Sequence, residues 1–314
     1  MTGYIGTYAT PDSPGLYRFT LDPTTHGLTP PQLWLDAPDC KALAIQDGLV
    51  AAPVRRGERA GVLVADAGGH ILSELLPEQV PACHVAWHGG RVFTANYHEG
   101  TVLVYRWDGA LTLERRLDIA PKAGCHQVLF YGSTLLVPCL ELDQLRRFDL
   151  DRDCAPLPPI PFPPGTGPRH GVFRDDVLYV VSERSNELFT LQAGSWAVRD
   201  VQTIVPGPAA TAAVRLSPNG RFLYVSTRGA DLITVFRVDG GTPERVQQAS
   251  CGGVHPRDIL PTPDSAALLV VNRSSNELIS FSLSPETGRI ESLIARGPLH
   301  EGVALALDPG PMKG

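Results

Sequence analysis

The sequence predicts an all-β fold: a seven-bladed β-propeller with four-stranded blades, its ring closed by N- and C-terminal strands that share one blade, and residues 1–314 forming a single domain. Three observations carry this expectation. A short hydrophobic strand recurs along the chain at a nearly constant interval. The same strand–turn–strand order surrounds each copy. The two chain ends supply complementary parts of one further unit.

The recurring strand reads Leu49-Val50-Ala51-Ala52, Val92-Phe93-Thr94-Ala95-Asn96, Leu135-Leu136-Val137-Pro138-Cys139, Leu178-Tyr179-Val180-Val181-Ser182, Leu223-Tyr224-Val225-Ser226-Thr227 and Leu268-Leu269-Val270-Val271-Asn272. Its last residues are 44, 43, 43, 45 and 45 positions apart, and one step back from Ala52 reaches Thr7. A period near 44 suits a four-stranded propeller blade. A short inner strand precedes each copy, as in His126–Phe130 or Thr211–Leu216, with turn residues such as Ser217-Pro218-Asn219-Gly220 between the two. A third strand follows with period-2 alternation, for example Leu232-Ile233-Thr234-Val235-Phe236, which marks sheet rather than helix. A more polar outer strand such as Ile290–Leu293 ends the unit. Gly302–Leu307 resembles an inner strand with no partner after it, and Tyr4–Thr7 a second strand with none before it. Pairing them closes the ring and removes exposed sheet edges.

Composition agrees. The chain is 43% hydrophobic, with 31 glycines and 29 prolines, as expected for many short strands joined by tight turns. The net charge of −6 gives no reason to expect nucleic acid or an anionic membrane as partner. Lysine is scarce: only Lys41, Lys122 and Lys313. The six cysteines, Cys40, Cys83, Cys125, Cys139, Cys154 and Cys251, include no CxxC pair, so neither a disulfide framework nor a zinc site is expected. The N-terminus reads as a strand rather than a signal peptide, and no apolar run is long enough to span a membrane. A soluble cytoplasmic protein, monomeric or weakly homo-oligomeric, is expected.

In a propeller the inner strands line a central channel and begin on one face. Those starts are Cys40-Lys41, Cys83-His84, Cys125-His126, Arg169-His170, Thr211-Ala212, Arg257-Asp258 and His300-Glu301. All but the Thr211-Ala212 start carry an ionisable side chain besides any cysteine. The second strands run back to the same face, bringing Tyr97, Glu183, Arg228 and Arg273 toward it. The Gly165-Thr166-Gly167-Pro168-Arg169-His170 loop and the strand ending at Glu183 thus place a cation, an imidazole and a carboxylate on one rim.

These motifs resemble the propeller-type lactonase family, that of bacterial 6-phosphogluconolactonase and the fungal carboxy-cis,cis-muconate lactonising enzyme. The similarity runs through Tyr4-Ile5-Gly6-Thr7-Tyr8, Ala95-Asn96-Tyr97, Cys125-His126-Gln127, Gly167-Pro168-Arg169-His170 with Glu183, Ser217 to Arg228, and His255-Pro256-Arg257-Asp258. The chain departs from the family pattern at Asp39-Cys40-Lys41-Ala42, at Pro53-Val54-Arg55-Arg56 and at Leu299-His300-Glu301-Gly302. The resemblance implies a lactonase acting on a small anionic lactone, 6-phosphogluconolactone first among them, with no cofactor or metal. A muconate-type lactonising cycloisomerase and a non-catalytic interaction module are the alternatives.

The resemblance maps the catalytic set onto His126, Arg169, Glu183 and Arg228, with His84, Tyr97, His170 and Arg257 as substrate-binding residues. Lactone hydrolysis needs a base for water and donors for the developing oxyanion. An imidazole near neutral pKa favours His126 as base and Glu183 as its orienting partner, without deciding between them. Purely structural roles compete: a satisfied buried His126, an Arg169 that ties inner strands together, and a Glu183–Arg228 ion pair between blades. His84, His88 and His98 suggest a metal site, but His84 and His88 are expected to straddle strand and turn, and no metal is expected.

Overall fold

The computed structural model describes residues 1–308; the last six residues of the expected domain, Lys313 among them, lie outside the described residues. Seven four-stranded antiparallel sheets stand in a ring, as the repeat requires. We number the blades from the first unit that is continuous in the chain. Blade 1 comprises Ala44–Gln46, Leu49–Arg56, Arg59–Asp66 and Ile71–Glu78. The inner strands of blades 2 to 6 are His84–His88, Leu129–Tyr131, Pro168–Arg174, Ala210–Leu216 and Pro256–Pro261. Blade 7 joins Gly302–Asp308 to Thr2–Thr7 in antiparallel register, from Thr2 opposite Asp308 to Ile5 opposite Leu305. That pairing closes the ring.

Burial follows strand position. The second strands Phe222–Arg228 and Ala267–Asn272 are buried along their whole length, whereas the outer strand Val198–Thr203 is largely exposed. A middle strand has a neighbouring blade on each face, so it needs apolar side chains on both. Each of the seven hydrophobic clusters bridges two adjacent blades. One, for example, joins Phe222, Tyr224 and Val235 of blade 5 to Ile259, Leu268 and Phe281 of blade 6. The core is therefore a ring of seven interfaces. The helices among the described residues are the single turns Leu140–Leu142 and Leu150–Arg152, and none is long and apolar enough to cross a membrane.

One inner strand is shorter than its sequence suggests. His126–Phe130 is expected as a strand, but regular pairing in blade 3 begins only at Leu129. Before it lie an isolated Cys125–Cys139 bridge and one bond from His126 N to the Pro138 carbonyl at 2.9 Å. Pro138 has no N–H to return, so the ladder breaks there. Side chains take over: Gln127 Nε2 donates to the Gly171 carbonyl and Gly171 N donates to Gln127 Oε1, tying blade 3 to blade 4.

Candidate active site

The loop before blade 4 shows how the chain positions its central arginine. Gly165 and Gly167 adopt φ of +84° and +63°, a region that suits glycine. Their amides both donate to the Asp143 carboxylate at 2.7 Å. Glu183 N donates to the Gly167 carbonyl at 2.8 Å. The loop is thus pinned to blade 3 on one side and to the end of its own second strand on the other. Arg169 and Glu183 emerge side by side.

Arg169 is 2% exposed. Its Nε lies 2.7 Å from Glu183 Oε2, and Arg228 Nη2 from blade 5 lies 2.7 Å from the same oxygen. Both contacts are charge-assisted, and one carboxylate oxygen serves two guanidiniums. The two guanidiniums therefore fix the Glu183 carboxylate in place. Arg169 Nη1 also donates to the Ala212 carbonyl, and Arg228 Nε to the Ala210 carbonyl at 3.0 Å, which ties both guanidiniums to blade 5. Burial alone would raise the Glu183 carboxyl, but Arg169, Arg228 and Arg257 outweigh it and hold it below its ordinary value. Glu183 is a carboxylate at neutral pH.

His126 lies beside this clamp, 6% exposed. Burial, then Arg169 and Arg257, push its pKa well below the usual histidine value; burial, Arg169 and His126 do the same to His170. Both rings are neutral. Arg169 Nη1 approaches His170 Nδ1 at 3.4 Å, and His170 Nε2 lies 3.1 Å from His126 Nδ1. A guanidinium has only donors, so His170 Nδ1 accepts. Neutral His170 then carries its proton on Nε2 and donates it to His126 Nδ1. Neutral His126 carries its own proton on Nε2. The chain Arg169–His170–His126 thus presents an N–H donor at the residue that lines both the rim cavity and the channel beneath it.

The rim cavity has a volume of about 180 Å³ and is lined by Tyr8, Lys41, Tyr97, His126, Glu183 and Arg257, among others. A narrower channel of about 60 Å³ continues below it, walled by Lys41, His84, His126, Arg169, His170 and Arg257. Of the residues singled out in the sequence, His126, Glu183, Tyr97 and Arg257 therefore face the cavity. Arg169 and Arg228 grip Glu183, while His84 and His170 lie in the channel wall. His84 Nδ1 accepts from Val128 N at 3.4 Å, and burial, then Arg215 and Arg169, push it down to about 3. Tyr97 donates to Glu141 Oε1 at 2.5 Å. His88 does not approach His84 or His98 but stacks on Phe130 at 4.0 Å. No group of three or more His, Cys, Asp or Glu among the described residues could hold a metal ion.

Two residues of this face are absent from the sequence-based set. Tyr8 accepts from Arg257 Nη2 at 3.3 Å and lies under the Arg273 guanidinium at 4.6 Å. It directly follows Thr7, the same offset that yields Tyr97, Glu183, Arg228 and Arg273, so the repeat contains the signal. Arg215 enters the channel from blade 5, whose strand start has no ionisable side chain, and its Nη2 donates to Asp258 Oδ1 at 2.9 Å. It lies four residues beyond that strand start, past a register shift between Thr211 and Val214, so the strand-start pattern does not mark it.

Residues 2–307 match the family model "Lactonase, 7-bladed beta-propeller". The chain belongs to this lactonase family. It is 29% identical to the 6-phosphogluconolactonase of Bacillus subtilis, over 93% of each chain. A solved protein from Lactobacillus plantarum superposes with a TM-score of 0.90 at 26% identity, covering 98% of this chain and 99% of that one. The periplasmic gluconolactonase of Pseudomonas aeruginosa has the same fold at 23% identity, with a TM-score of 0.85 over 97% and 98% of the two chains. Membership in the lactonase family supports lactone hydrolysis as the reaction class.

Proposed function

We propose that this lactonase-family protein hydrolyses 6-phosphogluconolactone to 6-phosphogluconate, as a cytoplasmic enzyme. The observation that carries the reading is the Glu183 carboxylate clamped between Arg169 and Arg228 beside a neutral His126. Glu183 takes a proton from water as the water oxygen bonds to the lactone carbonyl carbon. The carbonyl oxygen becomes an oxyanion, stabilised by the charge of the Arg169 and Arg228 guanidiniums and met by His126 Nε2–H. Collapse of this intermediate breaks the ring C–O bond, and the proton held on Glu183 passes to the leaving ring oxygen. The lowered pKa makes Glu183 a modest base, which suffices for a sugar lactone that already opens in water. The tautomer chain through His170 supports His126 as donor rather than base, a reversal of the weighting that an unperturbed imidazole suggests.

The test is pH-stat hydrolysis of 6-phosphogluconolactone with EDTA present, comparing wild type with Arg169→Ala and His126→Ala. Wild-type turnover well above background and its loss in both variants is the expected result. Background rates for wild type on this and related lactones overturn the enzymatic reading. Wild-type rates in both variants overturn the site but leave the fold untouched. Turnover of a muconate-type acid without lactone hydrolysis shifts the reading to cycloisomerisation.

A further inference from the structure

The acids on the rim face are matched to particular partners. Asp39, the acid nearest Lys41 in sequence, pairs with Arg55 Nε at 2.8 Å. Glu301 pairs with Arg273 Nε at 2.7 Å. Asp258 accepts from Arg215, and its second oxygen also accepts from Leu305 N at 3.0 Å. Glu183 is held by Arg169 and Arg228. Among the described residues, two cations of the cavity wall are left with no carboxylate in ion-pair contact: Lys41 and Arg257. This surplus sits in a chain whose net charge is −6 and which has only three lysines.

Position in the ring gives the surplus a meaning. His126, Arg169, Glu183 and Arg228 come from blades 3, 4 and 5. Lys41 precedes the inner strand of blade 1, Tyr8 follows Thr2–Thr7 of blade 7, and Arg257 lies in blade 6. These three occupy the opposite arc. Lys41 Nζ stands over the Tyr8 ring at 5.7 Å, and Tyr8 Oη accepts from Arg257, so the tyrosine's own proton is free to be donated. A molecule that bridges the cavity would meet Glu183 and His126 at one end and unpaired cations at the other.

We propose that Lys41 and Arg257, with Tyr8 between them, form the seat for the substrate's phosphate dianion, and that Lys41 distinguishes a phosphorylated lactone from an uncharged one. The proposal rests on the lactonase reading above for its substrate, but not for its ligand chemistry. An ammonium point charge and a planar guanidinium fork together suit a terminal phosphate, which offers three oxygens and up to two charges.

The experiment compares wild type with Lys41→Met, which keeps the aliphatic stem, and with Lys41→Arg as the conservative control. kcat/KM is measured on 6-phosphogluconolactone and on unphosphorylated gluconolactone, and Tm is measured with and without inorganic phosphate. Lys41→Met is expected to lose roughly 10- to 100-fold on the phosphorylated lactone, mostly through KM, and under about 3-fold on gluconolactone. Lys41→Arg should recover most of that loss. The rise in Tm with phosphate should be present in wild type and absent in Lys41→Met. Equal losses on both lactones, or no loss on the phosphorylated one, overturn the proposal. Should wild type hydrolyse neither lactone, the lactonase reading fails and the thermal arm still decides. A phosphate-dependent rise that needs Lys41 then supports the seat, and no rise in wild type refutes it.

Discussion

Replacing Glu183 by glutamine keeps the shape of the side chain and removes the one negative charge between two guanidiniums. Arg169 Nε and Arg228 Nη2 both lie 2.7 Å from Glu183 Oε2, and neither arginine has another carboxylate in ion-pair contact among the described residues. Breaking a buried ion pair by removing one partner costs roughly 3–5 kcal/mol. The Glu183 side chain is 26% exposed, so water screens part of that cost. A loss of about 2–3 kcal/mol follows. Unfolding entropy of roughly 2 cal/mol/K per residue converts this to a Tm lower by about 3–5 °C for a chain of this length. Activity should fall much further. Loss of the carboxylate that takes the water's proton lowers kcat by about 10²- to 10⁴-fold. Calorimetry and pH-stat hydrolysis of 6-phosphogluconolactone read the two effects separately. A variant with a lowered Tm but kcat within about 3-fold of wild type would show that the clamp is only structural and refute the assignment.

His126→Gln retains an N–H donor near the position of Nε2, whereas His126→Ala retains nothing; kcat of the glutamine variant should exceed that of the alanine variant by roughly 10-fold or more. Equal inactivity in the two would favour His126 as base. Glu183 is held below the ordinary carboxylate value and His126 well below the ordinary histidine value, so kcat should stay flat between about pH 5.5 and 8, without the inflection near 6.5 of an unperturbed imidazole base. Stability behaves differently. His84, held down to about 3, and His126 and His170, held well below 6.5, stay neutral in the folded chain while the unfolded chain takes up protons. Their stabilising contribution is complete above about pH 6.5 and is lost as pH falls, with a limiting slope near 4 kcal/mol per pH unit for three protons. A Tm that does not change between pH 7.5 and 5 would contradict the neutral histidine chain. Glu78 has the opposite sign. It is buried between blades 1 and 2, accepts from Asn96 Nδ2 and Thr101 Oγ1 on one oxygen, and is pushed up to about 7 by burial. Its contribution is present below the unfolded carboxyl pKa and is lost as pH rises through 7. Glu78→Gln should therefore raise Tm at pH 8, by the equivalent of about 1–3 kcal/mol, and change it little at pH 4.

The blade count, the strand order and the closure of the ring could be read from the sequence because they depend on local quantities. These are a period near 44, turn residues between strands, and apolar side chains on both faces of each second strand. The rim was legible for the same reason: equivalent offsets in successive units bring equivalent residues to one face, which is how Tyr97, Glu183 and Arg228 stood out and how Tyr8 could have. What the sequence could not determine begins where the ladder becomes irregular. Pro138 breaks the pairing of blade 3, and Arg215 reaches the channel from beyond a register shift in blade 5. Proton placement is more distant still from sequence. His126 looks like a base while its pKa is taken as ordinary; only burial and contacts across blades 3 and 4 make it neutral and fix its proton on the cavity side. Charge pairing is likewise a tertiary matter. Asp39 lies two residues from Lys41 along the chain but binds Arg55, so the tertiary structure alone leaves Lys41 and Arg257 without a carboxylate in ion-pair contact among the described residues, on the arc opposite Glu183.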